Sequence, residues 1–379
     1  MEMKKRVIVE YAERWTSGGI ESYLLNLVKY LNKEIFEIHI VVAQKETDIY
    51  DRELAEYGIV VENLLPAVVN NPIRRMLMNQ ASFKNYFEEH HCDVLHMHIC
   101  HGVALHYAKI AKKMGINKVI SHCHNTAFGD GHFLIKTIGH NLGKVLYRRY
   151  IDYMLACSDL AAEWLYCKRD IASDRIIISK YLVEIDKFKF SQTDRQEFRK
   201  KYNIADDITV YLNIGRLHYQ KNQIFLLDIF KDITVLQPNS KLVLIGSGEL
   251  RDTIHQHARE LNICENIFFV DKTREVSKFM SMSDVFLLPS LFEGNPIVGT
   301  EAQASGLLCI FSDSVTRQAK ILSTTTFISL DRTSSEWAQI ISSQTKHINV
   351  ERRYEALVKM KENGYNVSKQ IAEIETLYH

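Results

Sequence analysis

The sequence predicts an α/β protein built from two doubly wound, Rossmann-like domains that face each other across a cleft, and three observations carry that expectation. Short apolar runs alternate with segments of helical periodicity in two successive series, the pattern of parallel sheets joined by crossover helices. The chain has 379 residues, more than one ordinary core takes up. A highly charged segment, residues 187–202, separates the two series. The domain boundary is placed inside it, giving domains 1–190 and 191–363.

Composition narrows the functional classes. A hydrophobic fraction of 46% with 25% charged residues describes a folded chain, not a disordered one. The net charge of +1 supplies no bulk attraction for a polyanion, so no nucleic-acid partner is expected. Seven cysteines without a CxxC pair fit a reducing compartment, and the expected location is the cytoplasm. The early apolar run spans only Val7, Ile8 and Val9, too short for a signal peptide. No run approaches a membrane span, so any membrane contact is expected to be peripheral.

In the first half, residues 6–11 read as a buried strand. Ile20, Tyr23, Leu24, Leu27, Val28 and Leu31 then recur at helical spacing, which predicts a helix over 21–31. Gly18 and Gly19 sit at that strand-to-helix junction, where they make either a simple tight turn or a place for backbone to approach a ligand. Strands are expected at 36–42 and 59–64, with an acidic helix between them. Residues 70–87 mix Arg74, Arg75 and Lys84 with apolar residues, as either an interfacial amphipathic helix meeting anionic lipid or, more often, a solvated helix with a buried stripe does. Strand 93–98 puts His96 and His98 on one face, near His90, His91 and His101. With no paired cysteine or carboxylate at ligand spacing, these histidines read as pocket wall or strand-end packing, and no metal is expected. Strand 118–121 leads into His124 and Asn125, where open parallel sheets bind ligands. His124 is either a substrate contact or a structural histidine. Residues 132–151 form a basic amphipathic stretch with Lys136, Lys144, Arg148 and Arg149, the candidate for peripheral contact with an anionic membrane. Strand 153–157, an N-cap at Ser158, helix 159–166 and strand 176–179 complete this half.

The second half reads as strand 209–214, helix 223–235, strand 241–245, helix 250–261, strand 267–270, helix 276–282, strand 285–288, a helix opening near Asn295 and Pro296, and strand 308–312. Residues 350–379 are helical, with Tyr365, Val367, Ile371, Ile374 and Leu377 as a docking stripe.

Three strand-end spots in this half share one chemistry. GRLHYQKN puts Arg216 and Lys221 between a strand and a helix, where two cations suit a diphosphate. The turn at Gly246 lets backbone come close to a nucleotide. FEGNPIVGTEAQASG brings Glu293, Gly294, Asn295, Pro296 and Ile297 to a helix start, with Glu301 one turn inside it. The first N–H groups of such a helix form an anion site. Each spot alone reads equally well as a solvated loop; their co-occurrence points to a ligand carrying phosphate and hydroxyls. A GxGxxG fingerprint, a P-loop and a DxD pair are all missing, so dinucleotide binding and P-loop phosphoryl transfer are disfavoured.

These motifs, with SGGIES near the start, resemble family 4 of the retaining glycosyltransferases, which have the GT-B fold. SHCHNT and GGIES are similar to the corresponding segments of bacterial capsule and exopolysaccharide transferases. The resemblance implies a nucleotide-sugar donor, more often UDP-linked than GDP-linked, as co-substrate with no other cofactor and no metal. It implies that Arg216 and Lys221 hold the diphosphate, Glu301 the ribose, and Glu293 with the following backbone the transferred sugar. Gly18 and Gly19 would lie near the donor phosphates, and His124 would contact the sugar ring. The acceptor would be a glycan carried on polyprenyl diphosphate, at the inner face of the cell membrane and bound by the first domain. A last helix, about 364–379, would cross back onto that domain. Asn295 and Leu308 depart from the family's usual apolar residue and proline, and KYLVEIDKF lacks its usual Asn-Gly. A non-catalytic GT-B subunit and a sugar-nucleotide epimerase on the same architecture are the alternatives.

Overall fold

The computed structural model describes residues 4–16, 18–65, 72–128, 133–173 and 175–379. Ser17 of the glycine turn, Asn70 and Asn71 ahead of the first basic segment, and His132 lie outside them. Contacts divide the chain into two units, Met1–Leu182 with Val367–His379, and Val183–Asn366; the junctions read from the sequence were at residues 190 and 363.

The first unit is a parallel sheet of β1 (Arg6–Trp15), β2 (Phe36–Lys45), β3 (Val61–Asn63), β4 (Val94–Ile99), β5 (Lys118–Cys123), β6 (Tyr153–Ala156) and β7 (Ile176–Ile178), in the order β3-β2-β1-β4-β5-β6-β7. β1 is longer than expected because buried Ala12 and Trp15 continue its pairing with β2 as far as Lys45. The helix Gly19–Tyr30 buries Tyr23, Leu24, Leu27 and Val28, the stripe read from the sequence. The helix His106–Lys113 was not expected; its inner face is His106, Tyr107, Ala108 and Ala111, without the large aliphatics that reveal a helical period.

The last helix, Val367–Tyr378, belongs to this unit. Ile371, Ile374 and Tyr378 are buried, and Lys118 Nζ donates to the Leu377 carbonyl at 2.9 Å. It is separated from the helix Ala356–Glu362 by Gly364, whose φ of 83° ends the preceding turn in the left-handed region.

The second unit is a parallel sheet of β8 (Thr209–Ile214), β9 (Ser240–Ile245), β10 (Ile267–Val270), β11 (Val285–Leu288), β12 (Leu308–Ser312) and β13 (Thr325–Ile328), in the order β10-β9-β8-β11-β12-β13. Leu226, Phe230 and Trp337 pack on one face; Phe198, Phe279, Phe286 and Phe311 pack on the other. β13 and the helix Ser334–Thr345 extend the series beyond the sequence expectation.

The charged segment 187–202 reads as a linker leading into a short helix; the short helix is present, but it is packed and not solvated throughout. Its helix, Gln192–Lys201, buries Arg195 and Arg199, which donate to the two oxygens of Asp284 at 2.7 and 2.8 Å. The same carboxylate accepts from the Val210 amide at 2.8 Å. Buried Arg353 joins the knot by donating to the Ser283 carbonyl at 2.7 Å. Asp284 therefore ties the helix to β8 and fixes where β11 begins.

Candidate functional site

In the second unit, strand order reverses between β8 and β11, and open parallel sheets bind ligands beyond the strand ends at such a point. β8 runs into Gly215 and Arg216, and β11 into Pro289 and the Glu293 loop. Two backbone and side-chain clasps hold these loops together: Leu291 N donates to Gln220 O at 2.8 Å, and Asn222 Nδ2 donates to Pro289 O at 3.1 Å. Asn222 does so from the left-handed region, with φ 56°.

Lys221 and Glu293 meet directly across the reversal. Lys221 Nζ lies 2.5 Å from Glu293 Oε1, and both side chains are largely buried. Arg216, half exposed, pairs with Glu249 at 3.3 Å, and Glu249 also faces His218 at 3.3 Å. Each of the two expected phosphate cations thus holds an acid. Glu249 was not singled out in the sequence, although the GSGEL turn contains it.

Gly246 is needed for close approach. A Cβ there would come 1.9 Å from the Gly215 carbonyl oxygen, so only glycine lets the β9 loop lie against the β8 loop. The helix that begins at Ile297 is capped by Pro296 in extended conformation, leaving its first amides outside the helical ladder. Gly294, buried Asn295 and Pro296 lead the chain to that helix start. Glu301 is half-buried one turn inside it, and its side chain has no hydrogen-bond partner among the described residues. Burial pushes its carboxyl up to about 7, against a smaller opposing pull from Lys187. Glu293, Lys221, Arg216, Gly246 and the 294–301 segment therefore all follow the C-terminal ends of neighbouring strands in one unit.

Gly18, Gly19 and His124 lie on the first unit. Gly18 caps the helix that starts at Gly19, and Glu21 folds back to accept from Gly18 N at 2.9 Å and from Thr16 N and Oγ1. The acid of GGIES is thus a capping residue that locks the turn.

His124 follows β5, as expected, but it stands within a buried net. Its Nε2 is 2.8 Å from His98 Nδ1, its Nδ1 is 2.9 Å from the Tyr181 hydroxyl, and its residue exposure is 8%. Behind it, His98 Nε2 donates to Glu10 Oε2 at 2.6 Å, and Tyr378 donates to Glu10 Oε1 at 2.6 Å. Burial alone would raise the Glu10 carboxyl, but His96 and His98 outweigh it and hold it well below the usual range. Burial drives His98, His122 and His124 down, which keeps them neutral at ordinary pH. Glu10 could not be found from spacing, because it reaches His98 from a different strand.

Two parallel-sheet Rossmann-like units, each with its own sheet, are the architecture of the GT-B fold. The chain belongs to glycosyltransferase family 4: the model described as "Glycosyl transferases group 1" matches residues 194–366, and that described as "Glycosyltransferase Family 4" matches residues 17–179. It is 26% identical to the putative glycosyltransferase EpsF of Bacillus subtilis, over 100% of this chain and 98% of that protein. It is 30% identical, over 39% of each chain, to a UDP-Gal:alpha-D-GlcNAc-diphosphoundecaprenol alpha-1,3-galactosyltransferase of Escherichia coli. The fold matches the crystal structure of Anabaena HepE in complex with UDP, with a TM-score of 0.76 at 17% identity, over 97% of this chain and 99% of that one.

Proposed function

We propose that this glycosyltransferase moves a hexose or N-acetylhexosamine, with retention, from a UDP-sugar to a growing capsular or exopolysaccharide glycan carried on polyprenyl diphosphate. The observation that carries the reading is the Lys221–Glu293 pair at the strand-order reversal beside the helix start at Ile297. A diphosphate entering there meets Lys221, Arg216 and the free amides of the helix, which together offset the charge that develops on the leaving group. Glu293 is then released from Lys221 to accept from sugar hydroxyls, and Glu301 accepts from the ribose. The departing diphosphate takes the proton of the incoming hydroxyl on the same face, and no metal is required at this site. The UDP bound to HepE and the donor and carrier named for the E. coli relative support the choice of UDP and of a lipid-linked acceptor.

The membrane part of the reading rests on the helix Phe133–Tyr147. Leu134 is 76% exposed, Leu142 55% and Val145 64%, with Ile138 and Leu146 also exposed on the same stripe. An adjoining groove of about 500 Å³ has Met76, Ile110 and Leu142 in its wall with Lys109 and Lys113 at its side, suiting an isoprenoid diphosphate. Among the described residues no helix is long and apolar enough to cross a membrane. Lys144 and Arg148, the basic residues first expected to face lipid, are held inward: Lys144 donates to the Trp164 carbonyl at 2.7 Å and Arg148 pairs with buried Asp170. The apolar stripe, not those two charges, is what would enter the interface.

A thermal-shift screen over UDP- and GDP-sugars tests the donor, because a ligand at about 100 times its Kd adds about 2.7 kcal/mol. Release of UDP on adding a lipid-linked glycan completes the test. A chain that binds donor but releases no nucleotide with any acceptor is a non-catalytic subunit, and one that yields an epimer without acceptor is an epimerase.

A further inference from the structure

We propose that His96, His98 and His122 form a site for a transition-metal ion of the zinc class, buried in the first unit. Sequence spacing alone hides it, because the contributing residues come from three strands. In the register of the sheet Glu10 on β1 lies opposite His96 on β4, and His98 on β4 lies opposite His122 on β5. Alternation along the strands then brings all four side chains to one face. That face is closed: Glu10 and His96 are 0% exposed, His122 1% and His98 2%.

The three imidazoles each offer a ring nitrogen within 4.8 Å of the other two. Their protonation follows from what surrounds them. Ionised Glu10 accepts from His98 Nε2–H and from the Tyr378 hydroxyl, whose oxygen in turn accepts from His96 Nδ1–H at 2.8 Å. His98 therefore carries its lone pair on Nδ1 and His96 on Nε2. A carboxylate or hydroxyl on the far nitrogen is the outer shell that metal-bound histidines have, where it fixes the tautomer and turns the lone pair to the ion. Neutral imidazoles suit zinc, with other ions of its class as competitors.

Unmet polar atoms mark the same place. Among the described residues His96 Nε2, both nitrogens of His122 and the Tyr23 hydroxyl have no hydrogen-bond partner. The Tyr23 ring packs on His98 and His122, with centroids 5.4 and 5.3 Å apart. Each buried polar atom left unpaired is costly, so a cluster of four calls for an occupant. A single cation takes the lone pairs of His96, His98 and His122 together. His98 Nδ1 now faces His124 Nε2 at 2.8 Å, so the fourth position falls to His124 or to a water molecule. The proposal does not depend on the sugar donor or acceptor.

The test is metal content and spectroscopy of the untagged full-length chain. Elemental analysis is expected to find about one equivalent of zinc per chain after desalting. Protein unfolded in chelator and refolded after the chelator is removed is expected to take up one equivalent of added Zn²⁺, melt at a higher temperature with it, and show four-coordinate visible absorption with Co²⁺. His122→Phe keeps a ring in the space and is expected to lose both the metal and the Co²⁺ spectrum. If that variant fails to fold, the wild-type metal content and spectrum still decide. Metal below a tenth of an equivalent with no response to Zn²⁺ or Co²⁺ would mean that water fills the cluster, and it overturns the proposal. Undiminished binding in folded His122→Phe overturns it equally, by placing the ion elsewhere.

Discussion

Glu301→Gln separates the physics of the site from its proposed ligand. Burial lifts the Glu301 carboxyl from its ordinary 4.5 to about 7. At about 1.36 kcal/mol per unit, ionising it in the folded chain costs about 3 kcal/mol at most, less the screening that a half-buried group receives. The folded pKa is the raised one, so this contribution to stability is fully present below pH 4.5 and lost as pH rises through 7. The glutamine variant has no such loss: it should match the wild type near pH 4.5 and melt at a higher temperature at pH 8. Ligand binding then adds a second reading. Ribose hydroxyls donate to the charged form, so donor binding at pH 6 should expel close to one proton, and at pH 8 about a tenth of one. Titration calorimetry with a UDP-sugar in buffers of different ionisation enthalpy measures this, because the diphosphate diester does not itself titrate near pH 6. The Glu301→Gln variant should release none. Equal stability of the two proteins at pH 8 would refute the raised pKa. Proton release identical in both would leave the pKa standing and remove Glu301 from the ribose.

The other perturbations act on separate parts of the molecule. Lys221→Ala and Glu293→Gln should each lower transfer at least about 100-fold with the circular dichroism unchanged, since each removes a charge from the strand-end site; near-wild-type turnover would take that residue out of the reaction. Leu142→Glu with Leu146→Glu should abolish sedimentation with anionic liposomes while leaving donor binding intact, and unchanged sedimentation would exclude the helix Phe133–Tyr147 from the interface. Asp284→Asn should destabilise the chain by roughly 3–5 kcal/mol, because it strips the counter-charge from two buried guanidinium groups; a loss below about 1 kcal/mol in urea melts would mean that Arg195 and Arg199 are satisfied by carbonyls alone.

The strands and most helices were legible because parallel sheets buried on both faces need continuous apolar runs, and crossover helices need one apolar stripe. β8, β10 and β11 occupy the residues read from the sequence. What escaped lacked that signature. β13 is TTFI, half hydroxyl by composition, and the helix His106–Lys113 lines its inner face with alanine and aromatic polar residues. The donor-side residues were legible for a different reason: Arg216, Lys221, Glu293 and Glu301 sit in loops and a helix start whose glycines and prolines mark where a sheet opens.

Buried charge is where sequence reading ran out. Arg195 and Arg199 sit in a segment with every local mark of a solvated helix, and Asp284 stands just ahead of the apolar strand 285–288. Their meeting depends on β11 starting beside Val210, a fact of tertiary register that no window of the chain contains. Glu10 repeats the case on the other unit, in the middle of an apolar strand. A carboxylate there would be costly unless partners from elsewhere met it, and His98 and Tyr378 do, from 88 and 368 residues away. In both units, then, an acid placed where water is excluded was the sign that distant parts of the chain converge, and the useful question to put to such a residue is which cation or donor must reach it.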